Sequence, residues 1–164
     1  MTFRLGIHRG AQDPNAILEY EAWLGRPVDF ILDTIPSGSA SDATLTDSWN
    51  HMVGSDWAWF ANRWDGYQSR MVVTIPMLPT QGNYGAPSLG AAGAGAALAA
   101  GANGDYDSFW VRMRQNLINS GYGSNIIRLG WEMNGNWYNW SAVFNPTAWV
   151  AYFQRIVGIL RNDP

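Results

Sequence analysis

The chain has 164 residues, 14% of them charged, ten tryptophans and a formal net charge of −3, which is length enough for one domain with a substantial core. It contains no run of basic residues, so it lacks the electrostatic footprint that nucleic acid or an anionic membrane surface requires, and neither is expected as a partner. All ten basic residues are Arg and there is no Cys; this excludes Schiff-base chemistry, the phosphate-binding P-loop lysine, thiol nucleophiles, zinc thiolates and disulfides, and leaves catalysis to carboxylates, His, Tyr or hydroxyls.

Four short apolar runs alternate with segments of helical period, the pattern of repeated β-α units on a parallel sheet. The first strand is predicted over Phe3 to His8. A helix follows, opened by Asp13-Pro14, an N-cap acceptor before a proline at the first helical position, and closed by Gly25. Glu19 and Glu21 on this helix read as solvent-facing charges. The second strand is predicted over Val28 to Asp33, and the next helix carries Trp49, Val53, Trp57, Phe60 and Trp64 at steps of four, four, three and four. Such a stripe of large aromatics is what covering one face of a sheet requires, so these residues are expected in the core. His51, among these tryptophans, reads as structural.

The third strand is predicted over Arg70 to Pro76. The Gly/Ala-rich segment from Met77 to Gly104 then reads either as a lid over a substrate groove or as an insertion with a short Ala-rich helical piece. Its longest small-apolar run, around Ala91 to Ala100, is too short to span a bilayer, and the start of the chain is no signal peptide. The compartment is therefore not predicted. A helix ending near Gly121 leads to the fourth strand, Asn125 to Trp131. Asn145-Pro146 opens the last helix, where Trp149, Phe153, Ile156 and Leu160 form another stripe. No linker or residue-level repeat divides the chain, so residues 1–164 are read as one domain.

Glu132 ends the fourth strand, at the C-terminal edge where β/α folds build their sites. Period-two alternation predicts Arg128, Gly130 and Glu132 on one face, and a carboxyl among aromatics is expected to have its pKa raised, making it a proton donor. Asn134, Asn136, Trp137, Tyr138 and Trp140 follow at spacing that is not helical. Flat rings among amides suit sugars, which stack on aromatic faces and bond to amides through their hydroxyls; packing of the loop onto its own helix is the alternative. Asp33 and His8, at the ends of strands two and one, are further candidates, Asp33 as a second catalytic acid and His8 as a substrate contact. Two histidines without matching spacing make no metal site, and no cofactor is expected. Neither G-x-S-x-G nor G-x-G-x-x-G occurs.

The stretches Gly104-Asp105-Tyr106-Asp107-Ser108-Phe109, Arg128-Leu129-Gly130-Trp131-Glu132-Met133-Asn134-Gly135 and Trp137-Tyr138-Asn139-Trp140 resemble the fourth-strand region of glycoside hydrolase family 26, the β-mannanase type, strongly from Gly104 to Trp140 and vaguely before. The resemblance implies the N-terminal half of a (β/α)8 barrel and hydrolysis of a β-linked polysaccharide. It makes Glu132 the acid/base, Arg128 an inward arginine, and Trp137, Tyr138 and Trp140 the sugar platform. Trp131 stands where the family usually has His. The family's nucleophilic glutamate lies on its seventh strand, beyond the four β-α units read here. Family members are commonly secreted.

Four units cannot close a barrel, so strands one and four are expected to present open edges. The economical solution is a two-fold homodimer in which strand four of each copy pairs in parallel with strand one of the other. The expected fold is thus α/β, a (β/α)4 half-barrel completed by self-association. The expected partners are an oligo- or polysaccharide and a second copy. The competing readings are an inert carbohydrate-binding or structural half-barrel, and a flavodoxin-like domain with helices on both sheet faces.

Overall fold

The structure of the protein, a computed structural model, describes residues 3–9, 12–39, 41–80 and 88–162. In chain order the elements are β1 (Gly6–Ile7), α1 (Pro14–Leu24), β2 (Phe30–Thr34), α2 (Leu45–His51), α3 (Trp57–Arg63), β3 (Met71–Ile75), α4 (Gly90–Asn103), α5 (Asp107–Asn119), β4 (Ile126–Leu129) and α6 (Pro146–Arg161). A π-helical stretch, Met52–Asp56, joins α2 to α3. The four strands form one all-parallel sheet of order β1-β2-β3-β4. The α/β architecture compatible with a half-barrel is therefore present.

The helix ends follow the local chemistry. Asp13 caps α1 by accepting the Asn15 N–H, and Asn145 caps α6 by accepting that of Ala148, each before a proline. Thr44 and Asp47 form a reciprocal capping box at the start of α2, and Gly25 closes α1 at φ 74°.

In a parallel ladder, paired residues point to the same side. Ile7, Ile31, Asp33, Met71, Val73, Ile75, Ile127 and Leu129 share one face, and Gly6, Phe30, Leu32, Thr34, Val72, Thr74, Ile126 and Arg128 share the other. Burial separates the two except at Thr74, which is 0% exposed on the second face. Ile31, Val73 and Ile75 lie at 0% exposure under the helices, with Trp49, Val53, Trp57, Phe60 and Trp64 of the predicted stripe all buried against them. Each large apolar side chain removed from water there contributes about 1.5–3 kcal/mol. On the opposite face Phe30, Leu32 and Val72 are half-buried and Ile126 and Arg128 are exposed. Helices thus roof one face, while the other is open toward β4, unlike the flavodoxin-like arrangement.

All four strands are shorter than expected, β1 and β4 the most. β1 keeps a two-residue ladder because the imidazole of His8 takes the Leu32 carbonyl (Nδ1 to O, 2.8 Å), a side chain standing where the ladder stops. β4 ends at Leu129 because Gly130 enters the left-handed region at φ 57°.

The segment from Met77 to Gly104 partly lies outside the described residues, at 81–87. What is described is no lid. Met77 and Leu78 are core residues, and α4 packs against α6. Small residues allow that packing: a Cβ at Gly101 would stand 2.6 Å from the Tyr152 ring. Tyr152, outside the predicted α6 stripe, is the most committed residue of that helix. Its hydroxyl accepts the Trp110 indole N–H (2.8 Å) and donates to the Met77 carbonyl (2.9 Å). Trp149, Phe153 and Leu160 are only half-buried, because they lie toward the open β4 side. Glu21 also departs from expectation. Its side chain is 13% exposed, pairs with Arg70 and accepts the Val28 N–H, tying α1 to the sheet.

Candidate active site at the C-terminal end of β4

The chain leaves β4 through Gly130 and passes Trp131 to Glu132, whose backbone is also left-handed at φ 51°. Strand alternation therefore ends before Glu132, and its placement comes from the turn rather than from the phase of Arg128. The Gly135 N–H closes that turn on the Glu132 carbonyl (3.1 Å). Glu132 is exposed, and the Trp137 indole N–H bonds to its Oε2 at 3.0 Å. Arg128 is exposed on the open sheet face, level with Thr74 and Thr34 in the register. Its guanidinium carbon lies 5.9 Å from the centroid of the Trp131 ring, and it has no hydrogen bond or ion pair among the described residues. A cation held only by an aromatic face remains available to an acceptor.

The aromatic residues divide by exposure. Trp137 is 42% exposed, and Trp131 and Tyr138 are half-buried. Trp140 is fully buried at 0%. It stacks on Tyr138 (4.3 Å between centroids, 7° between planes), donates its indole N–H to the Trp131 carbonyl (2.9 Å) and accepts that of Trp149 on its own carbonyl (2.9 Å). The expected platform role is therefore corrected for Trp140, which offers no free face and serves as the pillar of the loop. Asn134 is exposed beside Glu132 in sequence. His8 is exposed at the other edge of the sheet; its Nδ1 is committed to Leu32 and its Nε2 makes no described bond.

Asp33 is not brought to this site. It shares the phase of Ile31 and is 1% exposed beneath the helices, where its Oδ2 accepts the Trp64 indole N–H (2.8 Å) and the Gln12 N–H (2.9 Å). Its Oδ1 has no partner among the described residues. Burial pushes its pKa up, opposed by the hydrogen bonds from Thr34, Trp64 and Gln12 and by the nearby His8. β2 runs one residue beyond the prediction, to Thr34, and the residue it aims along the open face there is Thr34.

Asn139 and His51 shape the same end of the sheet, the first not singled out in the sequence. Asn139 is buried and bonds the Pro79 carbonyl, the Ser88 hydroxyl and the Leu89 N–H, so it stitches the β3–α4 connection to the β4–α6 loop. His51, read from the sequence as structural, makes a 2.5 Å contact with Asp42 that holds the β2–α2 loop. An amide between aromatics and a histidine in a helix carry no sequence signal for such pairings, because both partners come from the tertiary fold. Among the described residues no group of three or more His, Asp or Glu side chains could hold a metal ion, and no helix is long and apolar enough to cross a membrane.

No protein-family model matches the chain, and no curated protein matches it.

Proposed function

We propose that this half-barrel is a glycoside hydrolase acting on β-linked polysaccharide, β-mannan first, with Glu132 as general acid/base. The observation that carries this reading is the exposed Glu132 just beyond the C-terminal end of a parallel strand. An indole N–H lies on one of its carboxylate oxygens, and partly exposed rings of Trp131, Trp137 and Tyr138 stand around it. In the reaction, Glu132 gives its proton to the glycosidic oxygen as the bond to the anomeric carbon breaks, and a second carboxylate takes a proton from the water that adds to that carbon. A spacing of about 6.5–9.5 Å between the two carboxyls suits this inverting course.

A second copy of the chain supplies what one copy lacks. Ile127 and Leu129 of β4 and Phe153, Val157 and Leu160 of α6 line a groove of about 370 Å³ along the open edge. At the opposite edge Ile7 of β1 and Leu5 just before it are half-buried and packed against the core. With β1 of one copy beside β4 of the other, twice, eight strands close and Leu5 and Ile7 fill the space under α6. The Glu132 of the second copy is then the available second carboxylate. A sedimentation mass of one chain for the folded protein would overturn this assembly.

The withdrawal of Asp33 beneath the helices favours one other reading, a half-barrel that binds sugars without cleaving them. Hydrolysis of β-mannan, xylan and mixed-linkage glucan by the wild type and by Glu132→Gln separates the two. The enzyme loses about 10²- to 10⁴-fold in turnover in the variant and keeps its ligand. A wild type that binds these polymers without releasing reducing ends overturns the hydrolase reading.

A further inference from the structure

Three indole N–H groups bond within the segment from β4 into α6. Those of Trp140 and Trp149 go to backbone carbonyls and hold the loop together. That of Trp137 goes instead to the side chain of Glu132, to Oε2 at 3.0 Å. The ring is held there by construction. Gly135 is buried, and a Cβ at that position would stand 2.3 Å from the Trp137 ring, so any side chain there displaces the indole. The turn bearing both partners is pinned from outside. The Ala142 N–H bonds the Met133 carbonyl (2.8 Å), and the Ser141 hydroxyl bonds the carbonyls of Met133 (3.2 Å) and Gly135. Within it Glu132 occupies a left-handed backbone, a conformation seldom adopted by residues other than glycine and concentrated at sites of function.

We infer that Trp137 is a positioning residue for Glu132, which rests on the reading of Glu132 as the acid. The indole edge fixes Oε2 and turns Oε1 outward as the oxygen that carries the proton. Stacking on sugar would use the face of the same ring, so the two roles are separable. As the anomeric carbon–oxygen bond breaks, its electron pair goes to the leaving oxygen, and the proton on Oε1 transfers to that oxygen to give an alcohol. Misplacing Oε1 therefore slows only leaving groups that need the proton.

The test compares wild type, Trp137→Phe and Gly135→Ala on two glycosides of one sugar, one with a 2,4-dinitrophenyl and one with an unactivated alkyl leaving group. Phe keeps a flat ring without the N–H, and Ala at 135 pushes the ring away. Losing one hydrogen bond to a charged group is expected to lower kcat about 10- to 100-fold on the alkyl glycoside with KM little changed. The dinitrophenyl glycoside, whose leaving group needs no proton, is expected to change less than about threefold. Equal losses on both substrates, or a rise in KM alone, overturn the positioning role in favour of a sugar platform. A second readout is independent of turnover: the ¹⁵N indole resonance of Trp137, assigned by its absence in Trp137→Phe, is expected to move in Glu132→Ala. A resonance that ignores that change overturns positioning by itself. A wild type without turnover overturns the acid role and, with it, the inference.

Discussion

Two loops at the C-terminal end of the sheet are held by opposite chemistry. The β2–α2 loop is held by acids that accept from its backbone: Asp42 takes the Ser39 N–H (2.8 Å), Asp56 takes that of Gly38 (2.8 Å), and Asp47 takes that of Thr44 (3.0 Å). The β4–α6 loop is held by neutral donors, the indoles of Trp140 and Trp149 and the hydroxyl of Ser141 on its own carbonyls and the amide of Asn139 on the Pro79 carbonyl. The first loop uses its carboxylates for structure. The second leaves its one carboxylate, Glu132, joined to a single indole and open to solvent. A carboxylate that serves as a backbone acceptor is not free for chemistry, so candidate acids here are separated by what already binds them rather than by how many there are.

Removing the pillar of the second loop tests this difference most severely. Trp140→Ala takes a fully buried ring and its loop-closing indole hydrogen bond to Trp131 from the core. A loss of about 3–5 kcal/mol in urea unfolding is expected; a loss under about 1 kcal/mol would mean that the loop is not held this way. The first loop has its own sensitive point at Gly38. With φ at 100° and a Cβ position 2.9 Å from the Thr80 carbonyl oxygen, Gly38→Ala is expected to cost about 1–3 kcal/mol. By contrast Gly135→Ala should spare stability, because the displaced Trp137 ring can swing into water. Similar losses in both alanine variants would erase the distinction between the loops.

The smallest effect is expected with pH. Burial works to raise the Asp42 carboxyl, but hydrogen bonds from Ser39, Ser48 and His51 and the charge of His51 prevail, and its pKa lies below the usual 3.8. A depressed acid contributes stability that is complete above its unfolded pKa and is lost as pH falls through its folded pKa. The β2–α2 loop should therefore gain amide hydrogen exchange, after correction for intrinsic rates, below about pH 4, and Asp42→Asn should remove that dependence. The β4–α6 loop should show no such step. Asp33, raised by burial, carries the opposite sign: its contribution falls as pH rises from the unfolded toward the folded pKa, so Asp33→Asn should steepen the acid loss that Asp42→Asn flattens.

Much of the scaffold was legible from local rules. Asp13-Pro14 and Asn145-Pro146 mark helix starts because a side-chain acceptor and a proline satisfy the first turn without help from the rest of the chain. The Trp49-to-Trp64 stripe reads correctly because helical period and core burial coincide there. The α6 stripe reads less well. Of its members only Ile156 is buried, and Tyr152, buried beside it, is held by Trp110 and Met77, which are remote in sequence. The same limit governs the site. That a glutamate follows β4 is written in the chain, whereas its orientation depends on a left-handed turn and on an indole five residues away.

Sequence by itself therefore determined the alternation of strands and helices, their caps, the core face of the second helical segment and the position of Glu132 beyond the fourth strand, all of which follow from periodicity and neighbouring residues. Only the tertiary structure decided that Asp33 points under the helices, that Trp140 is buried while Trp137 is not, and that the Gly/Ala segment forms a packed helix against α6. Each of these depends on which distant group fills a given volume or takes a given hydrogen bond, and packing settles that choice where local propensity is indifferent.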